Sequence, residues 1–174
     1  MKQKNESRTN AVHVLICGQP IWLDMENLKD AELAMCNRAT SEYEIPDGRI
    51  HAGEQHFSHQ NASIAAKKQD KRLLTHEEQE FITSLPCRWD DNGKGMWITF
   101  DKVEGDVMEI FFPAAGIRSN SDERLEEVGI YGYYCSATIV DNYICTLDFS
   151  SSYITLSFDY TQGVLGTSVR CASF

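Results

Sequence analysis

No stretch of the chain approaches the ~18 consecutive apolar residues that a membrane-spanning helix needs, and its first ten residues, MKQKNESRTN, lack the apolar core of a secretory signal. The expectation is therefore a protein with no membrane span and no signal peptide. It would be made in the cytoplasm. Basic clusters are missing too. At a net charge of −10 there is no positive stripe for phosphate contacts, which argues against nucleic acid as a partner. The six cysteines, Cys17, Cys36, Cys87, Cys135, Cys145 and Cys171, include no CxxC pair and no zinc-ligand spacing, so free thiols are expected. GxSxG, HExxH, P-loop and dinucleotide fingerprints are all absent. His51, His56 and His59 lie close in sequence, but on a loop-like stretch without helical or finger spacing, so neither a metal nor any other cofactor is expected.

What remains is an ordinary globular composition, 42% hydrophobic and 24% charged, in 174 residues, enough for one domain with a real core. Leu23, Leu28, Leu33 and Met35 recur among Asp, Glu and Lys in a loosely helical rhythm, predicting an amphipathic helix over about 24–36. A long, polar and mostly irregular connection over 41–71 follows. Thr75 with Glu78 three residues on is a capping box, and Phe81, Ile82 and Leu85 form an apolar stripe that Pro86 ends, predicting a second helix. Beyond it the chain reads as short strands, 96–100, 108–112, 133–139, 143–149, 153–158 and 167–172, divided by turns at 91–93 and 105–106. Helices followed by a mainly antiparallel, irregular sheet region define an α+β fold class. Residues 1–70 read as an amino-terminal region that either belongs to the same domain or docks to an assembly partner, and residues 71–174 as the principal domain.

One further absence is local. Residues 129–161 contain no Lys, Glu, Gln, Met, Trp, Arg, His or Pro, although Lys, Glu, Gln, Met and Trp are frequent before them. A plain β region rich in Tyr, Ser and Thr is one explanation. The other is the genetic code: an Asn codon with randomised adenines reaches Tyr, Ser, Cys, Ile, Thr, Asp and Gly but never Lys, Glu, Gln, Met or Trp. Tyr with Ser, Gly and Asn is also the composition of antibody loops, where rigid aromatics supply contact area and small polar residues adaptable hydrogen bonds.

The ordered strings Phe111-Phe112-Pro113-Ala114-Ala115-Gly116-Ile117-Arg118, Gly132-Tyr133-Tyr134-Cys135-Ser136-Ala137-Thr138, Leu147-Asp148-Phe149 and Ser168-Val169-Arg170-Cys171 resemble a known family. It is the major paralogous domain first noted in Fibrobacter and widespread in Bacteroides and their phages, which includes variable proteins of diversity-generating retroelements. Arg72-Leu73-Leu74-Thr75, Arg88-Trp89 and Lys94-Gly95-Met96-Trp97 also resemble the segments that precede its FLPAAG motif. The likeness covers about residues 71–174. Cys135, Ala137 and Thr167 depart from the family's Trp, Ser and Phe.

The resemblance implies a C-type-lectin-like fold and a ligand-binding protein for receptor recognition or adhesion, not an enzyme. Its partner would be a protein or glycan on a cell surface. Calcium is not implied, because the Glu-Pro-Asn, Gln-Pro-Asp and Trp-Asn-Asp strings of sugar-binding C-type lectins are missing. On such a scaffold the outward half of the segment makes contact. Alternation assigns Leu147 and Phe149 to the core. The predicted ligand-binding set is Tyr134, Ala137, Val140, Asn142, Tyr143, Cys145, Thr146, Asp148, Ser150, Tyr153, Thr155, Ser157 and Tyr160, with Tyr143, Tyr153 and Tyr160 as anchors. Arg118 and Arg170 are expected to make structural salt bridges or carbonyl contacts, and Trp89 and Trp97 to be core. Two alternatives stand beside this reading: a structural protein of a phage particle or appendage without a diversified site, and an enzyme of the formylglycine-generating type using Cys135, Cys145 or Cys171.

Overall fold

Alternating apolar residues at Val12, Val14 and Ile16, then Ile21 and Leu23, build a hairpin of β1 (Ala11–Ile16) and β2 (Gln19–Asp24), turned by Cys17 and Gly18 at φ 53° and 72°. Two consecutive positive-φ residues match the right-handed twist of the flanking strands. In this computed structural model, which describes residues 10–35, 50–51, 53–119, 124–160 and 166–173, the chain after β2 does not become the helix expected over about 24–36. Asp24 closes the strand, and the Leu28 N–H donates to the Val169 carbonyl at 2.8 Å instead of to its own helix. Leu23 is a strand residue and Leu28 a loop residue. Their place in a loosely helical rhythm is coincidental.

Within the connection expected to be irregular lies α1 (His59–Lys68), whose N-cap Ser58 accepts from the Asn61 N–H and whose Ala62, Ala65 and Ala66 are buried. A two-residue strand β3 (Arg72–Leu73) leads into α2 (His76–Thr83). The capping box expected there is complete: Thr75 accepts from the Glu78 N–H, and the Glu78 carboxylate accepts from the Thr75 N–H. That carboxylate also takes a bidentate pair from Arg72 at 2.6 and 2.7 Å, fixing the helix to β3.

The remaining strands are β4 (Cys87–Asp90), β5 (Gly95–Asp101), β6 (Val107–Pro113), β7 (Ile117–Arg118), β8 (Leu125–Glu126), β9 (Gly132–Val140), β10 (Tyr143–Phe149), β11 (Ile154–Tyr160) and β12 (Cys171–Ser173). They pair antiparallel into sheets of order β1-β2-β12-β3, β4-β5-β6 and β11-β10-β9 and a β7-β8 ribbon, so the class is α+β and sheet-rich. Because β12 is inserted between β2 and β3, the described amino-terminal residues complete the same core as the end of the domain.

The main core joins the first hairpin, β5, β6, β9, β10 and α2 through Val14, Leu23, Ile82, Ile98, Phe100, Phe112, Tyr134, Leu147 and Phe149. A second cluster packs α1 against Leu28, Phe57, Leu73, Cys135, Val169 and Cys171. Arg170, 1% exposed, lies between them, its guanidinium 4.4 Å from the Phe112 ring centre and donating to the carbonyls of Phe111 and Asp24 at 2.7 and 3.2 Å. These are the carbonyl contacts that its sequence context suggests. Trp89 and Trp97 are both half-buried: Trp89 packs against the main core, whereas Trp97 does not belong to it. Trp97 faces outward, flanked by Phe111 and by the Arg88 guanidinium.

Tyr134 ties the layers together. Its ring meets Phe112 edge-on and stacks on Phe149, its hydroxyl donates to the Pro113 carbonyl at 3.0 Å and accepts from Asn27 Nδ2 at 3.1 Å, and its carbonyl accepts from Gln79 of α2. Removing the hydroxyl leaves the Pro113 carbonyl without this donor, so Tyr134→Phe is expected to cost about 1–3 kcal/mol in urea unfolding with an unchanged slope.

His56 gives a pH signature. Its ring is buried with Nε2 donating to the Ala115 carbonyl at 2.8 Å, and burial, reinforced by Arg118, lowers its pKa from 6.5 to about 4. Above pH 6.5 the folded and unfolded chains both hold it neutral. As pH falls towards 4 the unfolded chain takes up a proton that the folded chain refuses, so stability present at neutral pH is lost, on the order of 3 kcal/mol across that window. An NMR titration should place the His56 midpoint near 4. A midpoint near 6.5 would show a solvated ring.

Candidate functional site

The segment with the restricted alphabet forms the β9–β10–β11 sheet. The turn between β9 and β10 is Asp141-Asn142, both at positive φ (49° and 68°), a conformation that Asp and Asn tolerate best after glycine. Between β10 and β11 the chain turns over Ser151 and Ser152, with the Ser150 N–H bonded to the Tyr153 carbonyl at 2.9 Å. Gly132 sets the register at the other end, since a Cβ there would lie 2.1 Å from the Phe149 ring. Phe149 thereby folds flat against β9 at Gly132, and Tyr134, two residues on, faces inward opposite Leu147.

Ala137, Val140, Asn142, Tyr143, Tyr153 and Thr155 of the predicted contact set are exposed, and Ser157 is half-buried. Leu147 and Phe149 are buried, as alternation requires. Five of the predicted contacts are corrected to buried positions. Tyr134 is 1% exposed because it pairs with Leu147 on the core face. Cys145 shares that face with Leu147, against α2. Ser150 is buried at the start of its turn, where its hydroxyl accepts from the Ser152 N–H. Thr146 and Asp148 do face away from the main core. They are nevertheless buried: β10 is the central strand, Cys135 opposite Thr146 belongs to the second cluster, and Ser157, Tyr133 and Thr155 flank them on the neighbouring strands. The Tyr160 backbone pairs with Tyr143, but its side chain lies outside the described residues.

The exposed residues fall into two groups. At the β9–β10 tip, Ile139, Val140, Tyr143 and Phe158 are 42–54% exposed, and Val140, Asp141, Tyr143 and Phe158 line a shallow depression of about 240 Å³. At the opposite end, Tyr131 bridges Tyr133 and Tyr153 with ring centres 5.9 and 6.3 Å away. Tyr133 donates to Glu127 Oε2 at 2.5 Å. Burial first, then this bond, pushes its phenol upward. Burial also raises Asp148, reinforced by Asp159 and Glu127 against the opposing hydroxyls of Ser157 and Thr146. Tyr131, Tyr133, Phe158 and Glu127 were not in the predicted set. Alternation counted from Gly132, whose missing side chain marks the inward face, would have chosen Tyr133 over Tyr134.

A thiol and an imidazole also meet here: Cys145 Sγ lies 2.8 Å from Nδ1 of His76, the first residue of α2. The pair is a poor nucleophile. Cys145 is fully buried, and burial, with Asp148, Glu77 and Glu80 adding to it, pushes its pKa up to about 11. Burial likewise raises Cys135 to about 11 and Cys171 to about 12. His56 and His59 reach separate carbonyls, those of Ala115 and Ser136, and among the described residues no three His, Cys, Asp or Glu converge to hold a metal. Compared with family models, curated proteins and solved structures, the chain matches none.

Native-state alkylation with iodoacetamide at pH 7.5 should modify the exposed Cys87 and leave Cys145 unmodified until the chain is denatured. Selective native labelling of Cys145 would instead identify an activated thiol.

Proposed function

We propose that the chain is a ligand-binding protein that recognises a partner through the β9–β10–β11 sheet, on a C-type-lectin-like scaffold of the variable-protein type. The observation that carries this is a contrast along one sheet. Tyr134, Leu147 and Phe149 are locked in a packed core, while towards the strand ends and turns Ile139, Val140, Tyr143, Tyr153 and Phe158 stand in solvent at 42–54% exposure. Large aromatics on rigid strands, with the small polar Asn142 and Thr155 beside them, present contact area at little entropic cost. The filtered alphabet and the ordered motifs on either side support the same reading. The partner is a protein or glycan displayed on a cell surface. Neither the raised thiols nor the histidines supply chemistry that favours an enzyme.

The test is a double variant, Val140→Ser with Tyr143→Ser, alongside the natural chain on arrays of surface glycans and cell-surface proteins. Both positions are exposed, so thermal stability should stay within about 0.5 kcal/mol, while binding to any array target falls at least about tenfold, as for loss of interface anchors. A target bound equally by both chains would exclude the tip. The diversification reading has its own check in the neighbouring DNA, where a near-copy of the segment encoding residues 129–170 should differ only at adenines. Differences at all four bases would remove it.

A further inference from the structure

The face of the β9–β10–β11 sheet that carries Tyr133 and Asp148 is acidic and aromatic. Asp148 stands in the central strand between Tyr133 and Thr155, 7% exposed, and its Oδ1 has no hydrogen-bond partner. An unpartnered carboxylate oxygen in a buried position is costly, and folded proteins rarely retain one without a use. The group acts electrostatically on both Tyr133 and Tyr153, which places it against the tyrosine cluster. Glu127 and Asp159 add charge of the same sign to this face. The opposite sign is missing: residues 129–161 contain no Lys, Arg or His, and among the described residues neither Glu127, Asp148 nor Asp159 forms an ion pair.

Aromatic rings beside carboxylates that lack a cationic partner attract a cation through both the ring quadrupole and the net charge. The hydrogen bond from Tyr133 to Glu127 strengthens this by leaving more electron density on the ring. A metal ion is the poorer occupant, since among the described residues no three acidic or imidazole groups converge. A planar guanidinium needs no such convergence. It can lie against one ring while its N–H groups reach a carboxylate.

We propose that this face binds an organic cation, the guanidinium of an arginine side chain on a protein partner, stacked against Tyr131 and Tyr153 with Asp148 as its counter-charge. Tyr153 is 44% exposed at the end of the Ser151-Ser152 turn, where its ring can meet a partner's side chain. The proposal rests on the reading of this sheet as a recognition surface, and it narrows the partner to a protein presenting a basic residue.

The experiment uses the full chain labelled with ¹⁵N and titrated with N-acetyl-arginine amide, with N-acetyl-citrulline amide as the neutral isostere. The arginine compound should shift the amide signals of Tyr131, Tyr133, Tyr153 and Thr155 saturably, and the citrulline compound should bind at least about tenfold more weakly. Asp148→Asn, which keeps the volume, and Tyr153→Leu, at an exposed position, should each weaken the arginine compound about tenfold. Glu127→Gln serves in place of Asp148→Asn should that chain lose its dispersed spectrum. Absence of saturable shifts, equal binding of citrulline, or unchanged affinity in the variants overturns the proposal. Val140→Ser with Tyr143→Ser, at the far tip, must leave arginine binding intact, so loss of array binding by that pair and loss of arginine binding by Asp148→Asn fail independently.

Discussion

The fold depends on burying the hydroxyl of Tyr134. A phenol taken out of water without partners would forfeit most of what its ring gains. Here the oxygen finds two, the Pro113 carbonyl at the end of β6 and the Asn27 amide after β2. Those bonds can form only if β9, β6 and the first hairpin are all in place. The ring itself fills the space between Phe112 and Phe149. Arg170 reinforces the same junction from below, holding the carbonyls of Phe111 and Asp24 while its guanidinium covers Phe112. One aromatic and one cation thus satisfy the backbone where three sheets meet, and the strands above them are free to carry side chains chosen for other reasons.

That division explains the two kinds of residue along β9 and β10. Inward positions answer to volume: Gly132 because Phe149 occupies the place of its side chain, Leu147 because it faces Tyr134. Outward positions on the central strand answer to cross-strand neighbours, and only those at turns and edges answer to solvent. Asp148 belongs to the middle category. It points away from the core but is roofed by adjacent side chains, which is why its carboxyl is held above the ordinary range.

Much of this was legible in the sequence where local chemistry alone decides the outcome. The Thr75 and Glu78 capping box marked α2, and the short β-like run from Tyr143 to Phe149 has the bounds of β10. Other features were hidden because distant residues decide them. Leu23 and Leu28 belong to a loosely helical rhythm, yet one pairs with Ala172 and the other bonds to Val169, more than 140 residues further along. The helix α1 buries alanines rather than leucines, so its apolar stripe is faint beside the polar residues around it. At the candidate site, period-2 alternation states which way a side chain points and says nothing about what lies over it. Thr146 and Asp148 therefore read as exposed, and Tyr131 and Tyr133 went unnoticed.

The position of β12 between β2 and β3 has a consequence for synthesis. The first hairpin emerges from the ribosome with one edge of β2 unpaired and the apolar face of Val14, Ile16, Ile21 and Leu23 uncovered, and the strand that completes that edge is translated only after every other described element. Contacts between such distant parts of a chain close slowly. An open apolar edge is a template for unwanted pairing throughout that interval. Until β12 is made, that edge of β2 is the part of the hairpin most open to pairing with another chain.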